Sequence, residues 1–330
     1  MAVRPTISSV APLRAVEGGR VTLRGHGFPV DKLPEITVGD QPAHVLFASS
    51  VRIIIALPAD LEGGASPIRV EDVVGETAYV SVGGTWATGL HQVDNPVFDL
   101  AGNLFVTYSG SRGQEAPVSI FRVTREGTRE PYVSGIVNPT SMAIGPDGRL
   151  YVSSRFEGAV YRVNADGTHE RIASDLGVAC GLAFDADGTL YVGDRSGTIF
   201  RVNEGAAEAF ATLPASVAAF HLAISPSGEL FVSAPTLGSY DHVYRIDRQG
   251  GVRSLLTPFG RPQGLAFSPD EGVLHVVDAL AGGSGLYRLP DLDGEPELVA
   301  TGSAFVGVAF GPDGELAVTS NETAYRFDVI

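Results

Sequence analysis

The sequence predicts an all-β protein: a six-bladed β-propeller preceded by a small immunoglobulin-like β-sandwich. Three observations lead to this prediction. A strand–turn–strand pattern recurs six times after residue 84, and the first 83 residues show short alternating strands without that repeat. In addition, 41 glycines and 21 prolines in 330 residues are typical of many short strands joined by turns.

The repeat is anchored on a turn glycine between two strands, and it returns roughly every 40 residues, the length of a propeller blade. A third strand follows each turn, such as AVYRV at 159–163, and a fourth follows in all but the last unit, such as ERIASDL at 170–176. Four strands per unit define a blade. The turn glycines are Gly102, Gly148, Gly188, Gly228, Gly272 and Gly314.

The last repeat reaches Ile330 after its third strand, so its fourth strand must come from elsewhere. GTWATGL at 84–90 has the fourth-strand pattern and directly precedes the first blade. We therefore predict that 84–90 completes the last blade and closes the ring, which removes exposed sheet edges. The predicted domains are a sandwich over 1–83 and a propeller over 84–330.

Composition and charge limit the kinds of molecule that the protein can bind and indicate where in the cell it is found. A formal net charge of −15 and a pI of about 4.8 argue against nucleic acid, because phosphate binding needs a basic surface. No apolar run is long enough for a membrane span, and MAVRPTISSV lacks the apolar core of a signal peptide. The single cysteine excludes an internal disulfide. We expect a soluble, cytoplasmic protein without a membrane partner, although a mature secreted domain would share these features.

The N-terminal segment carries a recognisable set of motifs. PTISSVAP is followed by GGRVTLRGHGF, then by VGDQP and a late valine-rich strand. This set resembles the IPT/TIG immunoglobulin-like family and covers nearly all of residues 1–83. The resemblance implies a β-sandwich that acts as a spacer or interaction domain without chemistry of its own.

The propeller repeats, with PDGRLYV and YRV in one blade, resemble the SMP-30/gluconolactonase-like and NHL-type propellers over 84–330. In the lactonase-like enzymes, the resemblance implies one divalent cation of the Ca²⁺ or Mg²⁺ type at the top of the central channel. Acidic and amide side chains at the starts of the innermost strands hold it, since such cations prefer oxygen ligands. The cation then polarises a lactone carbonyl or activates water.

Alignment on the turn glycines shows which residues occupy that ring here. Asp94 stands where the family has its acidic ligand, which makes it the one candidate metal ligand. The chain then departs from the pattern, which indicates a non-standard or lost metal site. The ring reads Asp94, Thr140, Cys180, Phe220, Gln263 and Val306.

The same ring locates the candidate catalytic residues. Asp94, His91 and His221 form the best acid/base group, because an aspartate beside a histidine orients a general base. The alternative is structural hydrogen bonding across the channel. Cys180 with His221 would suit a nucleophile and its base, but a buried free cysteine most often packs as a small apolar side chain.

Further polar residues on the same face are candidate ligand-binding residues. Arg155 and Arg195 follow the second strands of adjacent blades and suit a carboxylate or phosphate group, or else form rim salt bridges with Glu157 or Asp194. The full set is Asn95, Asn138, Thr140, Arg155, Cys180, Asp194, Arg195, Gln263 and Asp278.

Two function classes follow from the sequence. The first is a lactonase- or esterase-type hydrolase that acts on a small molecule at the channel mouth. The alternative is a non-catalytic NHL-like module that binds a ligand or a protein, with the sandwich as spacer. A repeated element of a larger assembly is a third, structural reading. Fold does not choose between them, because one blade pattern serves enzymes and binding modules alike.

Overall fold

The computed structural model describes residues 5–73, 75, 77–280 and 283–327, and every element assigned there is a β-strand. The predicted fold class is confirmed: the chain forms a small β-sandwich followed by a six-bladed propeller. No helix in the described ranges is long and apolar enough to cross a membrane.

The sandwich has two sheets that enclose a core of Val, Ile and Leu side chains, because apolar residues alternate along its strands. In spatial order the first sheet contains Thr6–Ala11, Arg20–His26, Arg52–Ala56 and His44–Ala48. The second contains Arg14–Ala15, Ala78–Val82, Gly64–Val70, Ile36–Val38 and Gln41–Pro42.

Blades 1 to 3 are four-stranded antiparallel sheets in chain order. Blade 1 contains Val97–Phe98, Leu104–Thr107, Ile120–Val123 and Arg129–Val133. Blade 2 contains Pro139–Ile144, Leu150–Ser154, Ala159–Val163 and His169–Ala173. Blade 3 contains Ala179–Phe184, Leu190–Asp194, Thr198–Asn203 and Ala206–Thr212.

Blades 4 to 6 continue the ring. Blade 4 contains His221–Ile224, Leu230–Ser233, Asp241–Ile246 and Val252–Phe259. Blade 5 contains Pro262–Phe267, Leu274–Asp278, Gly285–Leu289 and Glu297–Thr301. Blade 6 contains Phe305–Phe310, Leu316–Ser320, Thr323–Phe327 and Gly84–Thr88, so a strand from the N-terminal side pairs with the last strand of the chain.

The blade sequence explains the blade structure. In blades 1 to 5 the second strand is buried along its whole length, because both of its faces pack against neighbouring sheets. Most third strands carry an arginine that pairs with a glutamate of the same blade at the outer surface. These pairs are Arg122–Glu130, Arg162–Glu170, Arg201–Glu208, Arg245–Glu229 and Arg288–Glu297.

The sandwich is joined to the propeller by a continuous sheet. The short strand Arg14–Ala15 runs parallel to the outer strand of blade 5 on one side and to Ala78–Val82 on the other. Val16 then packs against Phe305 and Phe327 of blade 6. The sandwich is therefore held against the propeller by backbone hydrogen bonds and not only by a flexible linker. If it acts as a spacer, as the family resemblance implies, it is a fixed one.

Candidate functional site

One face of the propeller, here called the upper face, carries the candidate site. It forms because the start of each innermost strand pairs with the end of the second strand, so both reach the channel mouth together. The pairs that show this are Pro139–Ser154, Ala179–Asp194, His221–Ser233, Pro262–Asp278 and Phe305–Ser320.

Asp94 and His221 meet across the central channel. Asp94 precedes the innermost strand of blade 1, whereas His221 begins blade 4, on the opposite side of a six-bladed ring. The Nδ1 atom of His221 donates to Asp94 Oδ1 at 2.5 Å, and both residues are fully buried, at 0% and 1% exposure. The sequence prediction placed these two side chains at one site, and the structure brings them into direct contact.

The second ring nitrogen of His221 is also occupied. Its Nε2 atom lies 3.3 Å from the side-chain oxygen of Gln263, which begins blade 5. A glutamine amide can present either its oxygen or its NH₂ group, so it satisfies this nitrogen in either protonation state of the ring. Asp94, His221 and Gln263 thus form a hydrogen-bonded floor beneath the mouth.

Gln92 holds Asp94 in place and links it to ring closure. Its side-chain NH₂ group donates to the Asp94 carbonyl at 2.7 Å, and its oxygen accepts from the Thr107 amide at 2.7 Å. Its backbone exchanges hydrogen bonds with Asn321 of blade 6. Gln92 was absent from the predicted site, because a glutamine outside the repeat pattern gives no signal in a single sequence.

Asn95 fills the channel just below the floor. Its side chain donates to the Leu265 carbonyl at 2.9 Å and accepts from the Val308 amide at 3.0 Å, which bridges blades 5 and 6. A Cβ atom at Gly264 would lie 2.1 Å from the Asn95 side-chain oxygen, so this position requires glycine. Asn95 therefore fixes blade geometry rather than facing a ligand at the upper mouth.

His91 does not join the Asp94–His221 pair, which corrects the predicted group of three. It is half-buried and its ring meets Tyr108 edge-on, with centroids 6.1 Å apart. Burial, together with the positive charge of Arg155, lowers the pKa of His91 below its ordinary value. The ring is therefore neutral at pH 7 and stands at the rim of the mouth.

Three other predicted ligand-binding residues are engaged within the fold. Asn138 accepts from the Gly113 amide at 2.6 Å, Asp194 from the Val178 amide at 2.8 Å, and Asp278 from the Arg261 amide at 2.7 Å. Each holds a connection of the upper face. Side chains that hold the backbone in this way shape the mouth, so ligand recognition there would fall to neighbouring residues. Thr140 is similar, since its hydroxyl donates to the Asn138 carbonyl.

Cys180 is a buried packing residue directly below the mouth. It is 1% exposed in an apolar cluster that includes Phe220 and Leu222. Burial raises the pKa of its thiol to about 12, with a smaller contribution from Asp94 in the same direction. Because only the thiolate is nucleophilic, and the Cys180 thiol stays protonated at neutral pH, this residue is not a nucleophile there.

The arginines of the mouth differ from those of the blades. Within the described ranges, Arg155, Arg195 and Arg112 make no ion pair and no side-chain hydrogen bond. The predicted rim salt bridges do not form, because Glu157 faces Arg171 and the Asp194 carboxylate is taken up by Val178 and Ser196. Burial lowers the pKa of Arg155, and the charges of Arg195 and Arg112 lower it further, although the Cys180 side chain opposes them.

A cavity of about 320 Å³ opens at this rim. It is bounded by the two aromatic rings of the His91–Tyr108 pair and by the loop that follows blade 1's second strand. Its lining is His91, Tyr108, Gly110, Ser111, Gln114, Glu115 and Ala116. The sequence shows the length of this loop between the second and third strands of blade 1, but it does not show the cavity.

The opposite end of the channel has a different chemistry. A cavity of about 510 Å³ opens there, lined mainly by apolar side chains at the ends of the innermost strands, such as Ile144, Ile224 and Phe310. The repeat alignment gave no reason to expect it, because each of these residues also packs within its blade. The polar floor separates it from the upper mouth.

A divalent cation of the lactonase type does not fit the residues at the upper mouth. The Asp94 carboxylate already accepts from His221 and from the Asn95 amide. Within the described part of the chain, no group of three histidine, cysteine, aspartate or glutamate side chains is placed to hold a metal. Two guanidinium groups, Arg155 and Arg195, add positive charge that opposes a cation.

The fold and the mouth together define a β-propeller with an N-terminal immunoglobulin-like domain and a polar site at one end of the channel. Residues 5–85 match the model of the IPT/TIG domain, and residues 181–202 match part of the model described as strictosidine synthase-like, N-terminal. The N-terminal domain is thus an IPT/TIG domain, as the motifs predicted. None of the curated protein sequences is significantly similar to this chain.

Solved structures share the fold at low identity. An auxiliary nutrient binding protein from Bacteroides thetaiotaomicron has a TM-score of 0.57 at 12% identity, with 98% of this chain and 97% of that chain covered. A structural-genomics protein provisionally described as a gluconolactonase has a TM-score of 0.58 at 19% identity, with 73% and 90% covered. Virginiamycin B lyase from Staphylococcus aureus, solved with quinupristin, has a TM-score of 0.52 at 16% identity, with 90% and 95% covered. These likenesses establish the β-propeller fold and no particular activity.

Proposed function

We propose that this protein binds a small molecule in the upper mouth of the propeller channel. The observation that carries the proposal is the rim cavity of about 320 Å³, whose lining includes His91, three residues before Asp94 of the floor. This volume lies at the lower end of the range of small-molecule sites, roughly 300–1,000 Å³. A few fixed polar groups next to a cavity are what orient a bound ligand.

The floor supports a ligand site because it places ionisable side chains where neighbouring blades have uncharged ones. The positions equivalent to Asp94 in blades 2, 3 and 6 hold Thr140, Cys180 and Val306, which are uncharged at neutral pH. Burying a carboxylate and an imidazole together carries a desolvation cost that apolar packing would avoid. The propeller fold is shared with an auxiliary nutrient binding protein and with virginiamycin B lyase, which is consistent with a small-molecule role.

The experiment is a ligand screen with a cavity-filling variant. A metabolite library is tested by thermal shift, and hits are measured by calorimetry on the wild type and on Ala116→Phe, which fills the rim cavity. The matched control is Ala165→Phe, an exposed loop alanine on the other face of blade 2. We expect Ala116→Phe to abolish binding and the control to retain it. Equal binding in both variants would refute the site.

A second candidate is hydrolysis of a lactone or ester, and the Asp94–His221 geometry favours it. An aspartate on Nδ1 leaves Nε2 to take a proton from water as the water attacks the carbonyl carbon, and to return it to the leaving oxygen. Here Nε2 faces Gln263 and His221 is 0% exposed, so the Gln263 side chain must turn away first.

Turnover separates the two candidates. A lactone and ester panel is assayed with the wild type and with His221→Asn, with and without added divalent cations. Hydrolysis that disappears in His221→Asn supports the enzyme. A panel that shows no turnover, together with a calorimetric ligand at the mouth, leaves the binding function. A protein partner, the remaining expectation, would compete with that ligand.

A further inference from the structure

We infer that the ligand of the upper mouth is an organic anion, whose carboxylate or phosphate group binds between the guanidinium groups of Arg155, Arg195 and Arg112. This inference rests on the proposed binding function and specifies its ligand class. It is based on a contrast between two groups of arginines in this protein. Most third-strand arginines have glutamate partners, whereas these three have none in the described structure.

Local structure brings the three arginines to the same place. Arg155 and Arg195 each follow the second strand of their blade, and blades 2 and 3 are neighbours. The Ser153 hydroxyl donates to the Cys180 carbonyl at 2.5 Å, which ties the two blades together just below them. The Arg195 amide donates to the Val178 carbonyl, which fixes its backbone at the start of blade 3.

Arg112 reaches the same place from the loop of blade 1. The Asn138 side chain donates to the Ser111 carbonyl at 2.8 Å and accepts from the Gly113 amide at 2.6 Å. The backbone on both sides of Arg112 is therefore held at the start of blade 2, and Phe156 packs under Gly113. This loop also lines the rim cavity through Ser111 and Gln114, and Arg155 is close enough to His91, at the edge of that cavity, to lower its pKa.

Three of the carboxylates near the arginines are already engaged, whereas Glu115 lines the rim cavity. Asp94 is held by His221, Asp194 by backbone amides, and Glu157 by Arg171. In a protein of net charge −15, leaving three guanidinium groups unpaired at one mouth is not explained by a shortage of acidic residues. The three acidic side chains pair with other groups, so the positive charge of these three arginines is not neutralised by the protein.

An anion would relieve the repulsion within this group. Arg155 is half-buried, and its neighbours Arg195 and Arg112 oppose its charge. A guanidinium binds carboxylate or phosphate through two parallel N–H donors, and such charge-assisted bonds are stronger than neutral ones. The neutral ring of His91 at the rim adds a donor or acceptor without further positive charge.

The test is arginine modification by phenylglyoxal, mapped by mass spectrometry on the full chain. Three probes are compared: glutarate, inorganic phosphate, and glutaramide, which has the shape of glutarate without its charge. With the anion at about ten times its Kd, we expect modification of Arg155 and Arg195 to slow about tenfold, because only the unoccupied fraction reacts. Glutaramide should give no protection. The anion that protects better identifies the acid group. The paired Arg201 is the internal reference and should not respond.

Variants make the test independent of the reagent. Arg155→Gln should weaken calorimetric binding of the protective anion about tenfold. Arg149→Gln, on the opposite face of the same blade, removes equal charge and should change nothing. Equal protection by glutaramide, no protection by either anion, or equal affinity in both variants would overturn the anion inference. The library screen judges the binding function separately, because a neutral ligand lost in Ala116→Phe would support the site and reject the anion.

Discussion

The Nδ1 atom of His221 donates to Asp94 Oδ1 at 2.5 Å, and the two residues come from opposite sides of the propeller ring. This bond spans the channel between blades 1 and 4. Gln92 couples the Asp94 side of the bond to the side chain and backbone of Asn321 in the closing blade. Ring closure and site geometry are therefore parts of the same hydrogen-bonded structure.

The first prediction concerns the stability of this pair. Asp94→Ala leaves His221 buried without its partner, which should lower the free energy of unfolding by about 3 kcal/mol. Asp94→Asn keeps an acceptor and should cost less than half of that. Urea unfolding measures both. Asp40→Ala, at a fully exposed carboxylate, should stay within about 0.5 kcal/mol of wild type. Equal effects of Asp94→Ala and Asp40→Ala would show that the cross-channel bond contributes no stability.

The second prediction concerns Cys180. Burial raises the pKa of its thiol from 9.0 to about 12, so the native thiolate population falls about a thousandfold. A disulfide reagent at pH 8 should therefore modify the native protein at least about a hundredfold more slowly than the urea-unfolded chain. Absorbance of the released thiol gives both rates. Comparable rates would mean that Cys180 is accessible in the native protein and would support a role for it as a nucleophile.

The third prediction concerns the electrostatics of the mouth. Burial and Arg155 both lower the pKa of His91, so protonation of this ring opposes folding, and its penalty appears as the pH falls below the ordinary histidine value. Arg155→Gln removes one cause, and the pKa of His91 should rise while remaining below that value.

An NMR titration of the histidine ring protons tests this directly. The chain has seven histidines, and the His91→Gln variant assigns the relevant signal. Arg149→Gln provides the control, since it removes the same charge from the opposite face of blade 2. A His91 titration that is identical in Arg155→Gln and Arg149→Gln would show that Arg155 does not act on this ring.

The sequence predicts the propeller well because its information repeats. The turn glycine and the Tyr-Arg third strand recur in most blades, so weak local signals add up. Ring closure is also visible from sequence, since GTWATGL fits the missing fourth strand and the structure pairs Gly84–Thr88 with Thr323–Phe327. The turn type is less visible. Among the turn residues of blade 2, only Gly148 has a positive φ, whereas a type I′ turn requires two.

The site is less predictable, because its contacts join residues that are far apart in sequence. Asp94 belongs to the inner ring and His221 follows the ring residue Phe220, so periodicity suggests their common level but not their contact. His91 has no equivalent repeat position, and its place beside Tyr108 follows from the loop of blade 1. The expected salt bridges of Arg155 and Arg195 were reasonable by proximity in sequence. The salt bridge to Asp194 does not form because its carboxylate accepts hydrogen bonds from backbone amides. These amides come close to Asp194 only in the folded protein, so the sequence does not show them.

The last prediction concerns the glycine beside Asn95. A Cβ atom at Gly264 would lie 2.1 Å from the Asn95 side-chain oxygen and 2.7 Å from backbone atoms of blade 6, so Gly264→Ala must displace the Asn95 bridge between blades 5 and 6. We expect a loss of about 2 kcal/mol in the free energy of unfolding, as for other overpacked sites. The fluorescence of Trp86, the single tryptophan, follows the transition because it lies in the strand that closes blade 6. Gly283→Ala is the control, since its nearest neighbour would be the Tyr287 hydroxyl at 3.9 Å. If both variants unfold at the same urea concentration, the channel tolerates the added methyl group and Asn95 is not a rigid bridge.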